Sequence, residues 1–181
     1  TDFGEIHLVG QYEYDQLPQT IRRILRHYIP SLFQPTPHYN TATGKANYSF
    51  TLRLHDTKFI NSLLKTDIVS SHAIRLAGLV NERQNEIDLH INAPDVTYSG
   101  QQIKNLVLNL KSEPQGLQTR ISAERKGEKG PHVIINAQGL IADNAISSDI
   151  SFRIPGTSPV FGNVNSIASF SRRHGDLETH L

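Results

Sequence analysis

Apolar and polar residues alternate along most of the chain with a period of two residues. Between positions 4 and 14, for example, Ile6 and Leu8 alternate with polar residues such as Glu5. Side chains in a β-strand point alternately to the two faces of the sheet, so this period is typical of strands with one buried face. Turn-forming residues separate the alternating segments, and Pro94 is expected to end one of them. The pattern predicts an antiparallel meander of short strands.

Two helical segments interrupt this strand pattern. Near residues 16–29 the apolar residues, among them Ile21 and Ile24, fall on one helical stripe, and Pro30 ends the run. A shorter stripe of the same kind predicts a second helix near residues 57–65. Because strands outnumber helices, we expect a mostly β fold, a long curled antiparallel sheet (a β-groove, or taco-like sheet) with two short helices.

The ends of the chain bear on its domain organisation. We expect residues 1–154 to form the β-groove segment, and residues 155–181 to continue the sheet as a more polar and less ordered part. Alternation persists weakly to both ends, as in strands cut in mid-course, and the chain contains no methionine. These features predict a piece of a longer, continuing sheet.

Composition excludes several classes of function. The chain has 18 basic and 17 acidic residues and a net charge of +1, so no whole-molecule field attracts nucleic acid. It has no cysteine, which excludes disulfide scaffolds, cysteine-ligated zinc and thiol nucleophiles. No apolar run approaches the ~20 residues of a membrane-spanning helix.

Motifs for covalent chemistry are absent from the sequence. It contains neither of the glycine-rich phosphate-binding patterns and no serine nucleophile elbow. The histidines are scattered and lack the short spacing of a local metal clamp. We therefore predict no catalytic residue, no cofactor and no metal site, and expect that the protein is not an enzyme.

The polar side of the first predicted helix is basic. It carries Arg22, Arg23 and Arg26 without an acidic residue among them. A basic amphipathic helix can lie on an anionic lipid surface, so these arginines are candidate contacts for lipid headgroups. The alternative is a helix packed on the end of the sheet with its arginines in water, and we favour it because surface helices usually look like this.

The apolar face of the sheet is the remaining functional feature. Burying each aliphatic side chain contributes ~1.5–3 kcal/mol, so a long uncovered face would not persist in water. Two short helices are too few to cover it. Either the sheet seals its apolar faces against each other, as in a β-sandwich adhesion or scaffold module, or it curls into a trough that holds an apolar ligand.

Three stretches of the sequence resemble the TamB branch (translocation and assembly module subunit TamB) of the AsmA-like family. They are GEIHLVG at 4–10, LRLHDTK with NSLL at 52–64, and DLHINAPDVTYSGQQIKNL at 88–106. The resemblance covers most of residues 3–154 and rests on the style and order of the strands. It does not rest on a catalytic signature.

Membership of this family would imply a protein of the Gram-negative envelope. The resemblance implies that the full-length protein is anchored in the inner membrane by sequence outside this segment and crosses the periplasm. Its apolar groove would conduct phospholipids or other acyl-chain ligands toward the outer membrane. The family is also linked to outer-membrane biogenesis, with an outer-membrane partner of barrel type.

The resemblance also assigns the groove lining to alternate strand positions. It implies no catalytic residue, because the family performs no covalent chemistry. The implied lining residues are Leu8, Tyr12, Phe50, Leu52, Ile74, Leu76, Leu89, Ile91, Leu106, Leu108, Ile121, Ile135, Ile150 and Phe152.

Overall fold

One long antiparallel β-sheet dominates the computed structural model of the chain. The structure describes residues 4–33, 45–58, 61, 67–126, 130–173 and 176–180. The strands are β1 (Gly4–Gln11), β2 (Asn47–Leu54), β3 (Val69–Ser70), β4 (Ile74–Asn81), β5 (Glu86–Tyr98), β6 (Gln101–Glu113), β7 (Gly116–Lys126), β8 (Val133–Ala142), β9 (Ala145–Ile154), β10 (Val160–Arg173) and β11 (Asp176–His180). Helix α1 spans Leu17–Tyr28, between 3-10 turns at Tyr14–Gln16 and Pro30–Leu32.

The strands follow one another in space almost as they do along the chain. The order is β1-β2-β4-β5-β6-β7-β8-β9-β10-β11, and the short β3 pairs with β5 beside β4. β1 and β11 form the two outer edges, so the sheet is open. The predicted fold class, a mostly β protein built on one long antiparallel sheet, is confirmed. β10 and β11 continue this sheet beyond residue 154.

Strand pairing gives the sheet one apolar and one polar face. Directly paired residues in an antiparallel sheet project to the same face. Leu76 pairs with Leu52 on one side and with Ile91 on the other. His90, which precedes Ile91 in β5, projects to the opposite face and pairs with Asn109. We call these two surfaces the apolar face and the polar face.

Helix α1 covers one end of the apolar face. Ile24 of the helix is buried in a cluster with Tyr48, Val80 and Leu117 of the sheet. Ile29, which follows the last residue of the helix, belongs to the same cluster. The predicted helix near residues 16–29 is confirmed, and so is its packing on the end of the sheet by its apolar stripe. This burial of aliphatic and aromatic surface is what holds the helix in place.

Hydrogen bonds fix the end of α1 to distant strands. The Tyr28 hydroxyl donates to Asn85 O at 3.0 Å and forms a second hydrogen bond with Ser112 Oγ at 2.8 Å. Asn144, in the turn between β8 and β9, donates its backbone N–H to Tyr28 O at 3.2 Å. Its side-chain Oδ1 accepts from the Ser31 N–H at 2.8 Å. The carbonyl groups at a helix end otherwise lack partners, so these bonds also serve as a cap.

A second apolar cluster lies at the opposite end of the apolar face, on the strands β2 to β6. Leu54, Ile74, Ala93 and Val96 are buried there, and Ile68 packs against them. The second predicted helix, near residues 57–65, lies mostly outside the described residues. Within it, the Asn61 N–H donates to Thr57 O at 2.8 Å, which is the i to i−4 bond of a helical turn.

The expectation that a strand ends at Pro94 is wrong. β5 continues through this residue to Tyr98. Its pairing with β4 stops at Asn92, and its pairing with β3 begins at Val96. Pro94 therefore lies in the gap between two neighbouring strands, where the missing N–H costs no hydrogen bond on that side.

A β-bulge interrupts the pairing of β6 with β7. The register shifts between Lys104 and Val107, and Asn105 has a φ of 52°. The Asn105 amide donates to Glu124 Oε1 at 3.0 Å, and His132 Nε2 lies 3.3 Å from Glu124 Oε2. The hydrogen bonds from Asn105 and His132 lower the pKa of Glu124. The carboxylate thereby stabilises the irregular backbone of the bulge.

We predict that Tyr28→Phe lowers the free energy of unfolding by about 1–2 kcal/mol, because the Asn85 carbonyl loses its hydrogen-bond donor. Urea unfolding followed by circular dichroism measures the change. Tyr98→Phe, at an exposed tyrosine, is the matched control and is expected to change stability by less than about 0.5 kcal/mol. Equal effects of the two substitutions would contradict the anchoring role of Tyr28.

The lowered pKa of Glu124 predicts that the stability of the fold depends on pH. Its pKa is lower in the folded state, so its stabilising effect is complete above the unfolded pKa and is lost as the pH falls through the folded pKa. At pH 7 the urea midpoint of the wild type is therefore expected to be higher than that of Glu124→Gln. The difference between the two midpoints is expected to shrink by pH 3. The exposed Glu13→Gln serves as control, and a difference that grows on acidification would refute the assignment.

Candidate functional site

A continuous row of apolar side chains crosses the middle of the apolar face, perpendicular to the strands. Each member pairs directly with the next, from β1 through β10, and we call this row the central band. Its spacing of ~4.8 Å per strand gives a length of about 40 Å. Its members are Ile6, Leu52, Leu76, Ile91, Leu108, Ile121, Ala137, Ile150 and Val164.

The central band is exposed at its two ends and at Ile121, and its other six members are half-buried. Ile6 at the β1 edge is 64% exposed, Ile121 in the middle is 36% exposed and Val164 in β10 is 51% exposed. Helix α1 lies on one side of the band, and the cluster around Leu54 lies on the other. Exposed apolar side chains are unfavourable in water, so the band is a candidate surface for contact with another apolar group.

All of the lining residues implied by the family resemblance lie on the apolar face or pack at its covered ends. Their positions fall into three groups. The central band contains Leu52, Leu76, Ile91, Leu108, Ile121 and Ile150; the rows beside it contain Leu8, Phe50, Leu89, Leu106, Ile135 and Phe152; Tyr12 and Ile74 belong to the covered ends.

The lining expected from the sequence omits three members of the central band. Ile6, Ala137 and Val164 complete the row at β1, β8 and β10. Ile6 and Ala137 follow the same alternation as the lining residues in their strands, so the period-two pattern could have found them. Val164 lies in a segment of weak alternation, and only the register of β10 against β9 identifies it.

Two phenylalanine rings fill gaps that glycines leave in the apolar face. Phe50 pairs with Gly78, and a Cβ atom added at Gly78 would lie 2.8 Å from the Phe50 ring. In the same way the Phe152 ring covers Gly162 on the neighbouring strand. Each ring lies over a position without a side chain, so the surface beside the central band is filled with aromatic carbon.

A polar strip runs beside the central band on the strands β7 to β10. Thr119 pairs with Gly139, Gly139 with Ser148, and Ser148 with Ser166. The hydroxyl groups of Ser148 and Ser166 lie 2.8 Å apart. The same row is apolar on earlier strands, for example at Leu110. The apolar face is therefore bordered by hydroxyl groups over its second half.

The three arginines proposed as headgroup contacts differ in their surroundings. Arg23 is paired with the buried carboxylate of Glu82 and also donates to Thr20 Oγ1 at 3.1 Å. Arg22 lies over the ring of Phe33, 5.7 Å from its centroid, and Arg26 is exposed. Arg23 is thus engaged within the fold, and the headgroup hypothesis depends on Arg22 and Arg26.

The Glu82 carboxylate joins the helix to the sheet. Its Oε2 accepts from the Ala46 N–H at 3.2 Å, next to the ion pair with Arg23. Burial, and to a lesser degree the charge of Glu82, raise the pKa of Tyr48. A buried carboxylate is tolerated only with such partners, so this pair has a structural role.

The polar face contains the more concave surfaces. Two adjoining hollows of about 640 and 580 Å³ lie over the strands β6 to β10. Arg120, Gln138, Asp149 and Asn165 line both of them. The hollows on the polar face are thus lined by amides and charges, whereas the central band on the apolar face is aliphatic.

Neither a metal-binding cluster nor a membrane-spanning helix is found among the described residues. Among them, no group of three or more histidine, aspartate or glutamate residues is arranged to hold a metal ion. No helix in this part of the chain has the length and apolar character needed to span a membrane. Comparison of the chain with protein-family models, curated proteins and solved structures found no match.

We predict that Gly78→Ala lowers the free energy of unfolding by about 1–3 kcal/mol. The added Cβ would approach both the Phe50 ring and the Asp88 carbonyl oxygen at 2.8 Å, which forces the neighbouring strands to shift. Thermal unfolding measures the effect. Gly156→Ala, where an added Cβ meets no atom within 4 Å, is the control. A neutral Gly78→Ala would show that the ring does not fill this gap.

Proposed function

We propose that this chain is a segment of a periplasm-spanning envelope protein whose apolar face conducts phospholipids between the inner and outer membranes. The full-length protein would be anchored in the inner membrane by sequence outside this segment. The proposal extends the resemblance to the TamB branch of the AsmA-like family, and with it the link to outer-membrane biogenesis and to a barrel-type partner. The observation that carries it is the continuous, partly exposed central band.

Acyl chains would occupy the central band because it removes them from water. Each methylene that is fully removed from water contributes ~0.8 kcal/mol, and one that lies on the open band gains a part of this in proportion to its covered surface. A tail also covers side chains such as Ile121, which are otherwise exposed. The gain is therefore shared by the ligand and the protein, and no covalent step is involved.

Polar headgroups would remain beside the band, where water and hydroxyl groups can solvate them. Ser148 and Ser166 supply such groups along β9 and β10. Burying a phosphate in the band would leave its charge without partners, at a cost far above the gain from one tail. This division predicts that tails lie on the band while headgroups follow its polar border.

Movement along the band would require no specific bond to be broken. Successive strands present aliphatic side chains of similar size, such as Leu76, Ile91 and Leu108. Contacts of this kind are non-directional, so a tail that slides by one strand exchanges equivalent contacts. Such a surface lowers the barrier to movement, and the direction of transport would have to come from an energy source elsewhere.

The alternative function is a β-sandwich adhesion or scaffold module without a lipid ligand. Such a module requires that its apolar faces seal against each other. The 36% exposure of Ile121 in the middle of the sheet speaks against this arrangement. The two hypotheses differ in a simple observable, since only the conduit retains lipid.

The test combines extraction of the purified chain, followed by mass spectrometry, with binding of a phosphatidylethanolamine carrying a nitrobenzoxadiazole-labelled acyl chain. We expect co-purified phospholipid and a rise in probe fluorescence. Ile121→Glu is expected to weaken probe binding at least fivefold, because it places a charge in the central band. Its neighbour Ser122 lies on the polar face, so Ser122→Glu is the matched control and is expected to bind like wild type.

Two results would overturn the proposal. One is a purified chain without lipid that also fails to bind the probe. The other is equal weakening by Ile121→Glu and Ser122→Glu, since this would mean that the apolar face is not the binding surface. Circular dichroism of both variants checks that each retains the fold.

A further inference from the structure

A further hollow on the polar face, of about 410 Å³, lies over the strands β1, β2, β4 and β5. Two neighbouring rows of directly paired residues form its floor, and we call it the arginine hollow. Its polar-face lining is Glu5, Arg53, Arg75 and Asn92 in one row and His7, Thr51, Ala77 and His90 in the other. Ala77 has the smallest side chain of this lining, which leaves space between the larger ones.

Two arginines meet in this hollow in an arrangement that does not favour the fold. Arg53 of β2 and Arg75 of β4 are directly paired, and the Cβ atoms of such a pair lie about 4.5–5.5 Å apart. Like charges directly opposite each other destabilise a sheet. Among the described residues neither guanidinium group has a hydrogen bond or an ion pair. The pair therefore opposes folding and leaves its charged donors unused.

The lining of the arginine hollow has an excess of positive charge. Its one acidic residue is Glu5, which is directly paired with Arg53. The Glu5 side chain is 75% exposed, however, and its Oε1 lies 3.9 Å from Nε2 of His55. Two arginine charges thus face one exposed carboxylate, and His7 adds a further positive charge when it is protonated. Such a surface attracts anions.

We propose that the arginine hollow binds the phosphoryl group of a water-soluble molecule. A guanidinium group binds phosphate oxygens through parallel N–H donors. The Asn92 amide and the Thr51 hydroxyl add uncharged donors. Donors from β2, β4 and β5 suit a tetrahedral group, whereas a planar carboxylate is bound by one guanidinium group. Binding replaces the repulsion between Arg53 and Arg75 by the attraction of both to one anion.

His90 supplies another donor at the border of the hollow. Its Nδ1 lies 2.6 Å from Asn109 Oδ1, outside the hollow. A carbonyl oxygen can only accept, so Nδ1 carries the proton of this hydrogen bond. The second proton of a charged imidazole is then on Nε2, which becomes a donor for the bound anion. Asn109 thereby fixes both the ring and its tautomer.

The position of the hollow determines which kind of molecule carries the phosphoryl group. The chain neighbours of the two arginines, Leu52 and Leu76, belong to the central band and project to the opposite face. A phospholipid whose tails lie on the central band cannot reach through the sheet to the arginines, so the ligand has no acyl tails. The hollow is centred on the interior strands β2 and β4 and depends on neither edge of the sheet. It also does not depend on the proposed transport.

Urea unfolding in inorganic phosphate tests the site. A ligand that binds only the folded state raises its stability. We expect phosphate to raise the urea midpoint above that in sodium chloride of equal ionic strength, which only screens the arginines. Arg75→Gln is expected to raise the phosphate dissociation constant, fitted from these shifts, by about tenfold or more. Without phosphate this variant is expected to be at least as stable as wild type, because the like-charge pair is gone.

Arg120→Gln is the matched control. Arg120 is exposed on the same polar face, on β7 and three strands from β4, so its substitution removes the same charge outside the arginine hollow. It is expected to change the dissociation constant by less than about twofold, since an exposed charge at this distance is largely screened. Ile121→Glu on the apolar face is expected to bind phosphate like wild type, so failure of the transport proposal leaves this result unchanged.

Four results would overturn the proposal. They are a phosphate shift no larger than that in chloride, an equal shift in sodium acetate, an equal loss in Arg75→Gln and Arg120→Gln, and binding to lipid alone. The last is measured by flotation with vesicles of equal parts phosphatidylcholine and phosphatidic acid, which display the same phosphate monoester on acyl tails. Binding to these vesicles that depends on Arg75, without binding of inorganic phosphate, would mean that the hollow recognises a membrane surface.

Discussion

The register of backbone hydrogen bonds across the sheet is the constraint on which the other features depend. A shift of one residue at any strand would move its apolar side chains to the opposite face. Because the register is kept from β1 to β10, Leu76, Ile91 and Leu108 stand beside each other and form part of an uninterrupted band. The bulge at Asn105 is confined to one end of β6 and leaves this band intact.

The covers at the two ends of the apolar face determine which part of it remains available. Helix α1 buries the row around Val80, and the cluster around Ile74 buries the other side on the strands β2 to β6. A sheet covered along its whole length would be an ordinary core, and an entirely bare sheet would aggregate. Leu108, Ile121, Ala137, Ile150 and Val164 of the central band lie outside both clusters, and so do Ile135 and Phe152 in the row beside it. Hydroxyl groups border this part of the band on its other side over β7 to β10. It is here that the proposed acyl chains would lie.

Local sequence patterns predict the strands, their faces and α1, because each depends on side chains close together in the chain. The continuation of β5 beyond Pro94 depends instead on where β4 ends and β3 begins, which no local pattern reveals. The ion pair of Arg23 with Glu82 joins a helix to a turn far away in the sequence. Periodicity also predicts that the face is apolar. The exposure of Ile121, however, depends on which parts of this face are covered by α1 and by the cluster around Leu54, and no local pattern reveals that.

The hydrogen bonds of Asn144 have a consequence for how the chain reaches its fold. Most strands pair with the next strand in sequence, so hairpins can form by closing short loops. Helix α1, in contrast, is held by contacts that span 113 residues, from Ser31 to Asn144. The helix can already pack on Tyr48 and Val80 once β2 and β4 exist, but its end is fixed only when β8 and β9 form their hairpin. During synthesis on the ribosome, docking of the helix would therefore occur in two stages, with the second stage set by the emergence of the later hairpin.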